Sequence, residues 1–148
     1  MSETAIRAGI KTIIEGVSGI GPVHDYERIA ESIAAQEELL TDTNKIVNGC
    51  MICFVETTFL NLNMPVVDLS HIYEIHFIRE VDDANASSNT FNAVLHAAFL
   101  AIARSININD AAMKIDSLKK TSDTIDIGKG QFHYGIIDLV VWDREFYT

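Results

Sequence analysis

At 148 residues, with 48% hydrophobic and 22% charged side chains, the chain has the size and composition of one folded domain, which excludes a disordered segment and leaves no room for a second core. Its net charge of −10, from 21 acidic against 11 basic residues, excludes the basic face that a tight nucleic-acid binder needs, and the densest basic pair is Lys119-Lys120. A mean hydropathy of +0.16 is high for so small a domain, so part of the apolar surface is expected at a subunit interface.

The start, Met1-Ser2-Glu3, is acidic with no apolar run behind it, so no signal or transit peptide is expected and synthesis is read as cytoplasmic. Ile6, Ile10, Ile13, Ile14 and Val17 recur at helical spacing and predict a first helix over about 3–16, with Ser2 as its N-cap. Gly16 and the run Ser18-Gly19-Ile20-Gly21-Pro22 end it. Asp25 is placed to cap a second helix, about 27–40, carrying Ile29, Ile33 and Leu40 on its apolar side.

Residues 46–60 and 69–80 read as two strands, and the short connection at 61–65 makes them an antiparallel pair. A polar loop over 82–89 then feeds a third helix, about 89–105, with Phe91, Val94, Leu95, Ala98, Phe99 and Ile102 in one broad stripe. Ala97, Leu100, Ala101 and Ala103 make its other sides apolar too, which predicts cover from the sheet and from a neighbouring subunit. The apolar run 93–103 contains His96 and falls well short of the roughly 20 residues that span a bilayer, so no membrane partner is expected.

Residues 111–120 and 131–145 read as two more strands, separated by a turn or flap over 121–130. The last strand is apolar on both faces, with Phe132, Tyr134, Ile136, Val140 and Trp142 on one and Ile137, Leu139 and Val141 on the other. Such a strand is central or lies under an intersubunit contact. The expected fold is therefore α+β, a single domain over 1–148, with an antiparallel or mixed sheet of about four strands and helices on one face, in the order α-α-β-β-α-β-β.

The candidate chemistry is thin, and neither enzymatic activity nor a cofactor or metal is expected. Cys50-Met51-Ile52-Cys53 is a CxxC, but it lies inside a strand, where positions three apart point to opposite faces instead of opening a helix. His71 and His76 are likewise split between faces, and no HxH or HExxH spacing occurs. The stretch His24-Asp25-Tyr26-Glu27-Arg28 reads as a cap and a charged first turn, with Tyr26 and Arg28 as candidate interface anchors. The glycines at 16, 19 and 21 follow a helix, not a strand, and read as a stop rather than a phosphate loop. Phe91, Phe99, Leu100, Trp142, Phe146 and Tyr147 complete the candidate interface set; the last two sit at a chain end and need a surface to dock on. Asp82, Asp83, Asp123 and Asp126 fall in expected loops and are candidate lumen-facing acids, able to repel a passing polyanion.

This order of elements resembles bacteriophage tail-terminator and neck, or head-tail joining, proteins. The likeness rests on the Ile6–Val17 helix, the strand pair at 46–60 and 69–80, the alanine-rich helix at 89–105 and the closing strand with Ile137-Asp138-Leu139-Val140-Val141-Trp142. The segment Gly19-Ile20-Gly21-Pro22-Val23-His24-Asp25-Tyr26-Glu27-Arg28 is similar to segments of phage tail-region proteins. The resemblance implies a structural virion protein without an active site, located in the tail or neck and, during assembly, in the host cytoplasm. It implies a homo-oligomeric ring, usually hexameric, that caps the tail tube and joins it to the head connector. Its partners would be the tail tube protein, connector or neck proteins, the sheath protein of a contractile tail, and genomic DNA passing without specific binding. Two other readings stand beside it: a small metal-binding or redox domain using Cys50 and Cys53, and a non-viral oligomeric interaction module.

Overall fold

β-branched and aromatic residues alternate with polar ones over two long stretches, each folding back on itself across a short connection, and this pattern builds a sheet of two wide hairpins. The computed structural model describes residues 3–26, 39–43, 46–63, 66–82, 84, 86–105, 108, 111–112, 114–127 and 130–146, without the side chains at 61–63, 127 and 146. In chain order the elements are α1 (Glu3–Glu15), β1 (Val23–His24), β2 (Asn48–Asn63), β3 (Val66–Glu80), α2 (Ser87–Arg104), β4 (Lys114–Ile127) and β5 (Gly130–Phe146). They form an α+β fold with one mixed five-stranded sheet in the order β1-β2-β3-β5-β4. β1 runs parallel to β2, and every other neighbouring pair is antiparallel.

Both helices lie on one face of the sheet. Ile6, Ile10 and Ile14 of α1 and Phe91, Leu95, Ala98 and Ile102 of α2 share a core with Cys50, Ile52, Tyr73, Ile75, Phe77, Ile137, Leu139 and Val141. Those sheet residues are the alternate positions of β2, β3 and β5, as the period of two requires. Burial of this many large apolar side chains, each contributing about 1.5–3 kcal/mol, is what holds the helices to the sheet. β5 lies between β3 and β4, which explains its apolar character on both faces. At one end of the opposite face, Leu40, Val47 and Phe132 form a second small cluster.

The turn after α1 works as a helix stop. A Cβ on Gly21 would collide with the carbonyl oxygen of Asn48, so only glycine lets this turn lie against the start of β2. The same contact brings Val23 and His24 beside Cys50 and Met51 as β1.

Several expectations are corrected here. The sheet has five strands, because two residues at Val23–His24 pair with β2 before the first hairpin; so short a strand leaves no alternation to read. The expected flap over 121–130 is strand: β4 runs to Ile127 and pairs through Ile127 with Gly130, so Asp123 and Asp126 sit on a strand and not in a loop. Thr121, Ser122 and Thr124 resembled turn residues, but they are the polar side chains of an exposed edge strand. The connection expected at 61–65 is shorter, since 61–63 belong to β2, and α2 starts at Ser87, inside the expected polar loop. The second helix expected at 27–40 lies almost wholly outside the described residues.

Candidate assembly interface

β2 is sixteen residues long, and only Cys50 and Met51 have a partner in β1. Among the described residues, no strand pairs with the outer edge of the stretch 52–63, which is therefore an open edge of the sheet. Edge strands are normally blunted with lysine, proline or many charges. This stretch, Ile-Cys-Phe-Val-Glu-Thr-Thr-Phe-Leu-Asn-Leu-Asn, has one charged side chain, Glu56, and no proline.

The same stretch carries the exposed grease. Phe54 is 40% exposed, Val55 48%, Phe59 58% and Leu60 52%, and the other exposed large hydrophobic among the described residues is Tyr26. The register with β3 slips between Phe54 and Glu56 and again between Phe59 and Asn61. Val55 and Leu60 are thus the extra residues of two bulges, a conformation that turns a side chain out of the regular alternation. The opposite edge, β4, has Lys114, Lys119 and Lys120 among its residues, together with Asp116, Asp123 and Asp126.

The face away from the helices is also incompletely covered. Ile72, Ile78, Ile136, Val140 and Trp142 are half-buried there, with His76, Tyr134 and Cys53 beside them. Trp142 is flanked by two cations, with Lys114 Nζ 5.4 Å and Arg144 Cζ 5.1 Å from its ring centre. Arg144 also donates to both carboxylate oxygens of Asp68 across the β3–β5 pair, at 2.7 and 3.3 Å. A cavity of about 210 Å³ on this face is lined by Leu40, Met51, Cys53, His76, Phe77, Ile78 and Tyr134. Inside it the Tyr134 hydroxyl and His76 Nδ1 are hydrogen-bonded. Burial, then the charges of Cys53 and Glu74, push the Tyr134 phenol up from its usual range.

The two cysteines fall on opposite faces, as the strand period requires. Cys50 is fully buried in the core, and burial raises its thiol far above the range of a reactive thiolate. Cys53 faces the cavity. Among the described residues no three His, Cys, Asp or Glu side chains gather as a metal site. No helix among them is long and apolar enough to cross a membrane.

The expected interface residues divide. Tyr26 is half-exposed at 51%, and Trp142 is half-buried on the sheet face opposite α1 and α2. Phe91 is buried in the core of the subunit, and Phe99 is half-buried, packed against that core with Lys120 over its ring. Leu100 is half-buried on α2. Arg28, Tyr147 and the side chain of Phe146 lie outside the described residues, as does Asp83. Asp82, Asp123 and Asp126 are all exposed and share one end of the sheet, since Asp126 pairs with Gln131 and Gln131 accepts a hydrogen bond from Val81.

Sequence reasoning missed two features. The open stretch of β2 was readable as a strand but not as an edge, because strand order is a long-range property. A buried polar group was also missed: Thr57 Oγ1 lies 2.8 Å from His71 Nδ1, and His71 Nε2 lies 3.9 Å from Asp143 Oδ2. The alternation signalled both partners, since His71 shares its face with Tyr73 and Ile75, and Asp143 with Leu139 and Val141. No family model matches the chain, and no curated protein matches it.

Proposed function

We propose that the chain is a structural subunit that works by assembly: a phage tail-terminator or neck protein whose copies form a ring over the tail tube and join it to the head connector. The observation that carries this reading is the open, almost uncharged edge of β2 with Phe54, Val55, Phe59 and Leu60 exposed along it. Four large apolar side chains along an open sheet edge form an aggregation hazard on a lone domain, and a partner removes it. The partly bare apolar face around Trp142 supports the same reading.

The charge distribution fits a ring that DNA traverses. The exposed acids Asp82, Asp123 and Asp126 share the end of the sheet away from Phe59 and Leu60. An acidic rim repels a polyanion and lets it slide, while the −10 overall charge disfavours nonspecific binding. Ring size is taken from the family resemblance as six.

Native mass spectrometry and negative-stain electron microscopy of the purified protein test the proposal. The expected result is a ring with a central hole at micromolar subunit concentration. A monomer that persists with tail tube protein added, or a closed dimer without a hole, overturns it; the dimer would favour an interaction module of another kind.

A further inference from the structure

Resting on the ring reading, we infer that the ring is closed by sheet continuation: the open stretch of β2 in one copy pairs with the outer edge of β4 in the next copy. Strand polarity permits this. β2 and β3, β3 and β5, and β5 and β4 are each antiparallel, so β2 and β4 run in opposite directions at the two edges. A second copy added by rotation without inversion places its β4 antiparallel to β2, with the helices of both copies on the same side.

The rows of the sheet show what such a junction brings together. Following the pairings across β3 and β5, Phe54 is level with Tyr73, Leu139 and Leu118. Thr57 is level with His71, Val141 and Ile115, and Glu56 with Ile72, Val140 and Ser117. In a level junction, Phe54 of one copy therefore meets Leu118 of the next on the helix side, with Ile115 two rows away on the same face. Leu118 and Ile115 are half-exposed now and would be covered by that ring.

On the other face the charges match. Glu56, the one charged residue of the open stretch, would stand opposite Ser117. Its same-face neighbours above and below would be Lys114, in the row of Thr58 and Trp142, and Lys119, in the row of Cys53 and Asp138. The half of β4 level with the open stretch, 114–120, carries three lysines and one aspartate. Thr121 and Ser122 are level with Met51 and Cys50, the two residues of β2 that β1 already covers, and Asp123 and Asp126 lie beyond them. The edge that is basic thus lines up with the edge that is open and weakly acidic, and the acidic half lies past it.

Such a junction is heterologous, using different surfaces on the two copies, so it generates a ring when the rotation between copies closes. The right-handed twist of each sheet supplies a rotation of one sense at every junction. A two-fold pairing of β2 with β2 is the competing arrangement. It would set Glu56 close to its symmetry mate and away from Lys114 and Lys119.

Disulfide trapping separates these arrangements. In a Cys53→Ser background, the double variant Glu56→Cys with Ser117→Cys is oxidised and run on a denaturing gel. The expected result is a ladder of linked species reaching beyond the dimer, with neither single variant linking. Dimers from Glu56→Cys alone overturn the proposal in favour of two-fold pairing. A ring in native mass spectrometry with no ladder overturns the junction and leaves the ring reading intact. Monomers by the same measurement sink both. As an independent check, Glu56→Lys is expected to shift subunit association toward monomer severalfold with an unchanged circular dichroism spectrum. Adding Lys119→Glu is expected to restore part of the association; a Glu56→Lys variant that assembles like the parent counts against the junction.

Discussion

Asp143 sits at 0% exposure on β5, with neither carboxylate oxygen accepting a hydrogen bond. Among the described residues its basic neighbour is His71, at 3.9 Å, beyond hydrogen-bonding distance, and the Nε2 of His71 has no other partner. A buried polar pair joined this loosely adds little net stability, because desolvation offsets its attraction. Removing one member is another matter, since the remaining group stays buried and loses its nearest counterpart. His71→Leu is therefore expected to destabilise the subunit by about 3–5 kcal/mol. His71→Leu combined with Asp143→Val is expected to be more stable than His71→Leu alone, since two apolar side chains then fill the site. Urea denaturation of these two variants and of Asp143→Val alone, at one fixed protein concentration, measures this. A double variant that loses the sum of the two single losses would show that each group acts alone.

At the scale of elements, α2 is seated on β5 by a missing side chain. A Cβ on Gly135 would lie 2.8 Å from Leu95 Cδ2 and 3.2 Å from Phe91 Cζ. The glycine is thus the hollow that receives Phe91 and Leu95 of the helix. Gly135→Ala is expected to cost about 1–3 kcal/mol by overpacking, and Leu95→Ala about 2–5 kcal/mol by opening a cavity. Combined, the alanine at 135 grows into the space that Leu95 leaves, so the double variant is expected to be more stable than the sum of the single losses predicts. Thermal or urea unfolding of the three proteins gives the coupling directly, and strict additivity would show that the contact is not tight. The helix stripe through Phe91, Leu95, Ala98 and Ile102 was legible because its period of 3.6 is local, and the two-faced β5 was legible for the same reason. β1 was illegible, being two residues placed by the turn at Gly21. The extension of β4 to Ile127 was illegible because a polar edge strand and a polar loop have the same composition. The candidate interface was legible only in part: Phe91, a buried core residue, was marked by size and hydrophobicity, which do not distinguish a core from an interface. The bulged residues Val55 and Leu60 owe their exposure to a register slip that only the partner strand reveals.

For the whole molecule, the proposed ring must bring together subunits that each carry −10 of formal charge. At low ionic strength those charges repel across the ring, because the screening length is about 30 Å at 0.01 M salt and about 10 Å at 0.1 M. The attraction comes from backbone pairing and from apolar side chains at the junction, Phe54 and Val55 of one copy and Ile115 and Leu118 of the next, which salt does not screen. Glu56 between two lysines is one exposed contact, worth about 1 kcal/mol or less, and it sets register more than affinity. Repulsion summed over all subunits outweighs that single local attraction, so assembly is expected to strengthen as sodium chloride rises from about 0.02 to 0.5 M, the range over which the screening length shrinks below the spacing of surface charges. Sedimentation velocity at a fixed subunit concentration follows it as a shift from slow to fast species. Dissociation on adding salt would mean that ion pairs hold the subunits together, and the apolar edge of β2 would then lose its place as the source of affinity.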